Sequence, residues 1–170
     1  MASLIDNLID IMDEENSEYK KMLDLSQTKT SAIVNGDVEK LQEILSNEQK
    51  LIDVINGLDV KREGIVKDIC NVLHLPEKEI KVEQIVQILE KRPKEHDRLQ
   101  ESHLALKRTL DQMMKVNDNN KMLLKESMDM IEFELNLAKS ASMIPQTSTY
   151  GKGAYEEQGM LSRTSFDAKQ

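Results

Sequence analysis

Apolar residues recur at three- and four-residue intervals through the first 140 positions of this chain, and only three short interruptions break the rhythm. That is the period of a helix with one buried stripe, so the chain has to fold as a few long amphipathic helices packed along their lengths. The first stripe passes through Leu4, Leu8, Ile11, Met12, Tyr19, Met22, Leu23, Ile33 and Val34, with Glu15 and Ser26 at intervening face positions. Asn35-Gly36-Asp37 ends it: Asn and Gly tolerate the left-handed conformation that closes a helix, and Asp37 can cap the next one after a tight reversal. The second stripe comprises Val38, Leu41, Ile44, Leu45, Glu48, Leu51, Ile52, Ile55, Leu58, Ile65, Ile69, Val72 and Leu73. It keeps phase across Gly57 and Gly64. Although each glycine costs about 1 kcal/mol relative to Ala in a helix interior, the spacing predicts one continuous helix, longer than ~50 Å at 1.5 Å per residue.

Pro76 in His74-Leu75-Pro76 stops that helix, because it removes a backbone donor and disfavours the helical conformation at Leu75. A short helix follows, in which Val82, Ile85, Val86, Ile88 and Leu89 form a face expected to pack across one end of the long pair. Beyond Pro93 the spacing predicts a third long helix with a coiled-coil-like seam through Leu99, Leu106, Leu110, Met113, Asn117, Asn120, Leu124, Ser127, Ile131, Glu134 and Ala138. Asn117 and Asn120 make this seam wetter than that of the second helix and would set its register at some cost in stability. The expected fold is all-α: an elongated antiparallel bundle of three long helices and one short one, at about 3–34, 37–74, 79–91 and 94–140, within a domain of residues 1–144. From Pro145 onward Ser, Thr, Gln and Gly replace Leu, and residues 145–170 are expected to be a flexible, disordered tail and a candidate partner-binding segment.

Composition narrows the function. Only two Phe, three Tyr and no Trp are available, and no glycine sits in a strand-turn-helix setting, which argues against a β-sandwich or an α/β enzyme core. Lys and Arg number 23 against 31 Asp and Glu, for a net charge of −8, and no basic stripe offers a footprint for nucleic acid. Cys70 with His74, and His96 with His103, share helical faces, but no thiolate or carboxylate cluster at ligand spacing accompanies them, so no metal or other cofactor is expected. Gly151-Lys152-Gly153 lacks the spacing and the following helix of a phosphate loop. Long helices provide no elbow for a catalytic nucleophile, and an enzyme is not expected. A single cysteine and an N-terminus without a cationic and apolar leader point to a reducing, cytoplasmic setting, without membrane insertion.

A binding role fits better. Ten methionines are available, and the thioether adapts to varied apolar partners. Met113 and Met130 read as core filling, whereas Met114, Met122 and Met128 fall off the seam and are candidates for a face that takes a partner helix. Tyr150, Tyr155, Met160, Leu161 and Phe166 lie in the polar tail, where no core needs them.

Glu18-Tyr19 followed by Leu23, the reversal Val34-Asn35-Gly36-Asp37-Val38-Glu39-Lys40-Leu41, the Asn117 and Asn120 pair, and a tail with Tyr150-Gly151-Lys152-Gly153 and Ser165-Phe166-Asp167-Ala168-Lys169 form a recognisable pattern. Over essentially the whole chain it resembles the FlgN family of flagellar type III export chaperones. The resemblance implies a cytoplasmic chaperone that uses no ATP. It would bind the hook-associated proteins of the hook-filament junction, prevent their premature association and deliver them to the export-gate protein. It also implies that the C-terminal region holds the client and that a tail tyrosine docks at the gate. On this sequence that points to Tyr150 with Gly151 and Gly153, with Tyr155 as the neighbouring alternative and Phe166 as a further tail contact. A structural antiparallel coiled-coil scaffold, or a regulator that pairs helices with a transcription factor, would have a similar periodicity, and the sequence leaves monomer or homodimer open.

Overall fold

A computed structural model describes residues 2–74 and 80–142 of the chain. Four helices appear in the order α1 (Ala2–Val34), α2 (Val38–Leu73), α3 (Val82–Ile88) and α4 (Pro93–Ser142), with a 3-10 turn, Leu89–Lys91, between the last two. The fold is all-α, three long helices and a short one, and the described residues contain no strand. The described residues fall into two units, divided between Glu132 and Phe133. Pro76 and the tail residues Tyr150, Gly151, Gly153, Tyr155 and Phe166 lie outside the described residues.

The α1–α2 reversal follows from two residues, Gly36 and Asp37. Gly36 takes the left-handed conformation with φ 65°. The amide of Gly36 then donates to the Ile33 carbonyl and that of Asp37 to the Ala32 carbonyl, which satisfies the last carbonyls of α1. The Asp37 carboxylate accepts from the Lys40 amide at 2.9 Å and caps α2. Helix α2 is continuous for 36 residues through both Gly57 and Gly64. At its far end His74 adopts φ 53°, and its amide closes on the Asn71 carbonyl. Pro93 opens α4 at the helical position that needs no donor.

In the first unit, α2 runs antiparallel to α1: Glu48 meets Lys29 and Arg62 meets Glu15. Helix α4 returns parallel to α1, because Asp6 pairs with Arg98, Asp13 with Ser102, Asn16 with Thr109, and Ser26 and Thr30 with Asn120, at separations of 89 to 94 positions. The path is up, down and up, with α3 at the turn between α2 and α4.

The apolar core is concentrated at the α3 end. There Ile5, Leu8, Ile9 and Met12 of α1, Ile69 of α2, Val82, Ile85 and Val86 of α3, Leu89, and Leu99 and Leu106 of α4 form one buried cluster. Positions 82, 85, 86 and 89 make a single helical face, so Ile88, expected on it, is exposed instead. Toward the other end, Met22, Ala32 and Ile33 of α1 and Ile44, Ile55 and Leu58 of α2 are also buried. Val34, Val38, Leu45, Ile52 and Val72 are exposed, so the buried stripe is narrower than the apolar pattern suggests.

Helix α4 corrects the seam. Residues 99, 102, 106, 109, 113, 116, 120, 123 and 127 are buried or half-buried, a strict alternation of three and four. The expected seam coincides with this one at Leu99, Leu106, Met113, Asn120 and Ser127, and Leu110 is half-buried beside it, but Val116 and Leu123 take the places expected of Asn117 and Leu124. Asn117, Leu124 and Ile131 are consequently exposed, as are Glu134 and Ala138 in the second unit. Past Leu110, the only α4 side chain that is fully buried among the described residues is polar, Asn120 at 2% exposure.

Candidate functional site

Asn120 is the point from which the site is built. Its Nδ2 donates to the Ser26 carbonyl at 2.8 Å, and its Oδ1 accepts from Thr30 Oγ1 at 2.6 Å. With donor and acceptor both satisfied on α1, Asn120 fixes the axial position of α4, since a one-residue slip would leave these buried groups unpaired. Below it, Thr109 Oγ1 donates to Asn16 Oδ1 at 2.7 Å and Ser102 Oγ to Asp13 Oδ1 at 2.6 Å. The register of α4 on α1 is thus set by small polar groups.

Beside this lock, α1, α2 and α4 leave an open groove of 660 Å³. Tyr19 and Met22 of α1, Ile52 and Ile55 of α2, and Met113, Leu124 and Met128 of α4 supply its apolar lining. Asn117 and Asn120 border it, with Lys121, Lys125 and Asp129 at the edge. Lys29 Nζ crosses from α1 to both Glu48 oxygens, at 2.6 and 2.8 Å, and this half-buried pair also lies along the groove. Such a trough, apolar along its base and charged at its edges, suits an amphipathic helix laid between α2 and α4.

The off-seam methionines separate. Met128 lines the groove and is 67% exposed, whereas Met114 and Met122 are exposed without lining it. Met113 is half-buried against the groove rather than in the core, and Met130, read as core filling, is 64% exposed. Ile131 adds a further exposed apolar side chain. In the second unit, the last turns of α4 expose Phe133, Leu135 and Leu137. Sequence reasoning missed Ile52 and Tyr19 as groove residues. Their stripe membership suggested burial, and only the placement of α4 leaves them open.

One charged cluster lies below the groove. Glu15, buried in α1, accepts from Arg62 Nε at 3.0 Å, and the same guanidinium pairs with Asp59. Burial raises the Glu15 carboxyl above its ordinary range, and Arg62 only partly offsets this. Burial also opposes the charge of Arg62, but Glu15 and Asp59 outweigh it and hold the guanidinium protonated. The Tyr19 hydroxyl is raised by burial and by the nearby Glu15 carboxylate, so it stays neutral at the groove wall. The described residues contain no group of three or more His, Cys, Asp or Glu that could hold a metal, and Cys70 is buried and free. None of the described helices is long and apolar enough to cross a membrane.

A family model described as FlgN protein matches residues 1–158. No curated protein and no solved structure matches the chain.

Proposed function

Because the chain belongs to the FlgN family, a family of non-enzymatic flagellar export chaperones, we propose that it binds a helical end of a hook-associated protein in the groove between α2 and α4. The supporting observation is the 660 Å³ trough itself, with Ile52 and Met128 exposed on its opposite walls. Covering the apolar face of such an end keeps it from pairing with another copy before export. In this reading the protein works in the cytoplasm and hands the client to the export-gate protein. Tail residues Tyr150, Gly151 and Gly153, with Tyr155 and Phe166, serve as the handle for that transfer. Exposed Met114 and Met122 extend the adaptable surface of α4. A scaffold that only spaces other proteins has no need of an open apolar trough beside a locked register.

Calorimetric titration with a purified hook-associated protein tests this. Ile52→Asp and Met128→Asp each place a charge in the trough and should weaken binding by about tenfold or more while far-UV helicity stays unchanged, as both side chains are exposed in the free chain. Tyr150→Ala should leave client affinity intact and lower affinity for the export-gate protein. Undiminished client binding by both Asp variants would remove the groove from the reading.

A further inference from the structure

On another face of the first unit, α2, α3 and α4 enclose a second groove, of 820 Å³, which shares no residue with the first. Its floor is hydrocarbon: Val66 and Cys70 of α2, Leu106 and Leu110 of α4, and Ile80 ahead of α3. Three lysines stand round it, one from each wall: Lys67 on α2, Lys81 at the N-terminus of α3 and Lys107 on α4. All three are exposed, and none has an ion-pair partner among the described residues. The remaining basic groups of the groove are engaged. Arg62 holds Glu15 and Asp59, and His103 faces Glu83 at 3.4 Å. Glu63 is the other acidic residue on the lining.

We propose that this groove is a second protein-docking surface, shaped for an acidic amphipathic helix of a partner distinct from the client. On a chain of net charge −8, unpaired cations collected from three elements at one apolar trough are a local reversal of sign. They would steer a carboxylate-bearing ligand to the groove and reject a basic one. The floor requires apolar side chains from the occupant, which a phosphate-only ligand cannot supply. Both α2 and α4 line this trough, and an apolar trough flanked by helices is the ordinary seat of an amphipathic helix. The occupant is therefore a helix with an apolar stripe between rows of Asp or Glu.

The test uses the full chain and a fluorescein-labelled synthetic helical peptide of about 15 residues, with Leu at i, i+3, i+4 and i+7 and Glu on both flanks, followed by anisotropy. Saturable binding is expected, weakening as salt rises to about 0.5 M. The triple variant Lys67→Glu, Lys81→Glu, Lys107→Glu should lose about tenfold or more in affinity. These lysines are exposed, so its circular dichroism should match that of the unaltered chain. Val66→Gln, at the floor, should weaken binding at unchanged charge, and Ile52→Asp, in the first groove, should not. Equal binding of an otherwise identical peptide with Lys for Glu would overturn the proposal, as would undiminished binding by the triple variant. Self-association of the unaltered chain in sedimentation velocity, abolished by the triple variant while the peptide fails to bind, would assign the groove to a second copy and also overturn it. Competition between peptide and hook-associated protein would show a shared site and overturn the distinct partner. Failure of the client reading alone leaves the peptide result unchanged, so the two outcomes are separable.

Discussion

Ser26 presents its carbonyl to the register lock but leaves its own Oγ buried without a hydrogen-bond partner, a cost the fold carries at its central polar contact. Ser26→Ala removes the unpaired hydroxyl and keeps the carbonyl, so it should stabilise the protein by about 1 kcal/mol in urea unfolding. Glu15 behaves differently because its partner is present. Its folded-state pKa lies above the ordinary 4.5, so the native state holds this proton more tightly than the unfolded chain does. Its contribution is complete below 4.5 and is lost as the pH rises through the folded-state value. Relative to Glu15→Gln, the unfolding free energy of the unaltered protein should fall across that window, and a flat difference would refute the assignment. Legibility also failed at this scale. Thr109 lies in the seam and the more apolar Leu110 beside it, yet Thr109 is buried because Asn16 receives its hydroxyl. Hydrophobic periodicity has no means of ranking a polar residue whose partner is 93 positions away.

At the level of elements, the helices and the α1–α2 reversal were legible because local rules specify them: stripe period, Gly36 at positive φ, and Asp37 as cap. The seam of α4 was legible only in part: Leu99, Leu106, Met113, Asn120 and Ser127 lie on it as expected, but Thr109, Val116 and Leu123 complete it in place of Leu110, Asn117 and Leu124, a choice set by contacts across the bundle. The same contrast predicts opposite responses to one substitution. Gly57 and Gly64 lie inside α2, and a Cβ at either would meet nothing within 4 Å, so Gly57→Ala and Gly64→Ala should each stabilise by about 1 kcal/mol. Gly36→Ala has as much room but sits at φ 65°, and should destabilise by about 1 kcal/mol or more. Thermal unfolding followed at 222 nm reads all three changes, and a stabilising Gly36→Ala would contradict the reversal described here.

Across the first unit, burial is uneven along the long axis of α4. Leu99 and Leu106 anchor it in the apolar cluster, whereas from Leu110 to Glu132 its one fully buried side chain is Asn120. Local opening follows local burial. Amides of residues 112–130 should therefore exchange hydrogen at least ~10-fold faster than those of residues 99–109, and hydrogen exchange with mass spectrometry would show it. The first groove lies beside this less buried stretch and the second beside the anchored one, so the same exchange experiment should find the α4 wall of the first groove the more open of the two. The candidate client site was legible in part. Off-seam Met128 signalled it, but the trough exists only because a polar seam holds α4 at a set place over Ile52 and Tyr19.

The parallel ladder from α1 to α4 has a thermal consequence. Exposing apolar surface raises heat capacity, while exposing polar surface lowers it. Detaching the upper part of α4 uncovers Asn120, Thr30 and the Ser26 carbonyl as well as half-buried Met113 and Leu123, so the opposing terms offset each other. Separating the cluster around Leu8, Ile85 and Leu99 exposes hydrocarbon almost alone. Cooling weakens the hydrocarbon end and leaves the hydrogen-bonded end nearly untouched. The attachment of the upper part of α4 should therefore vary little with temperature, while the hydrocarbon end sets the range over which the first unit stays folded.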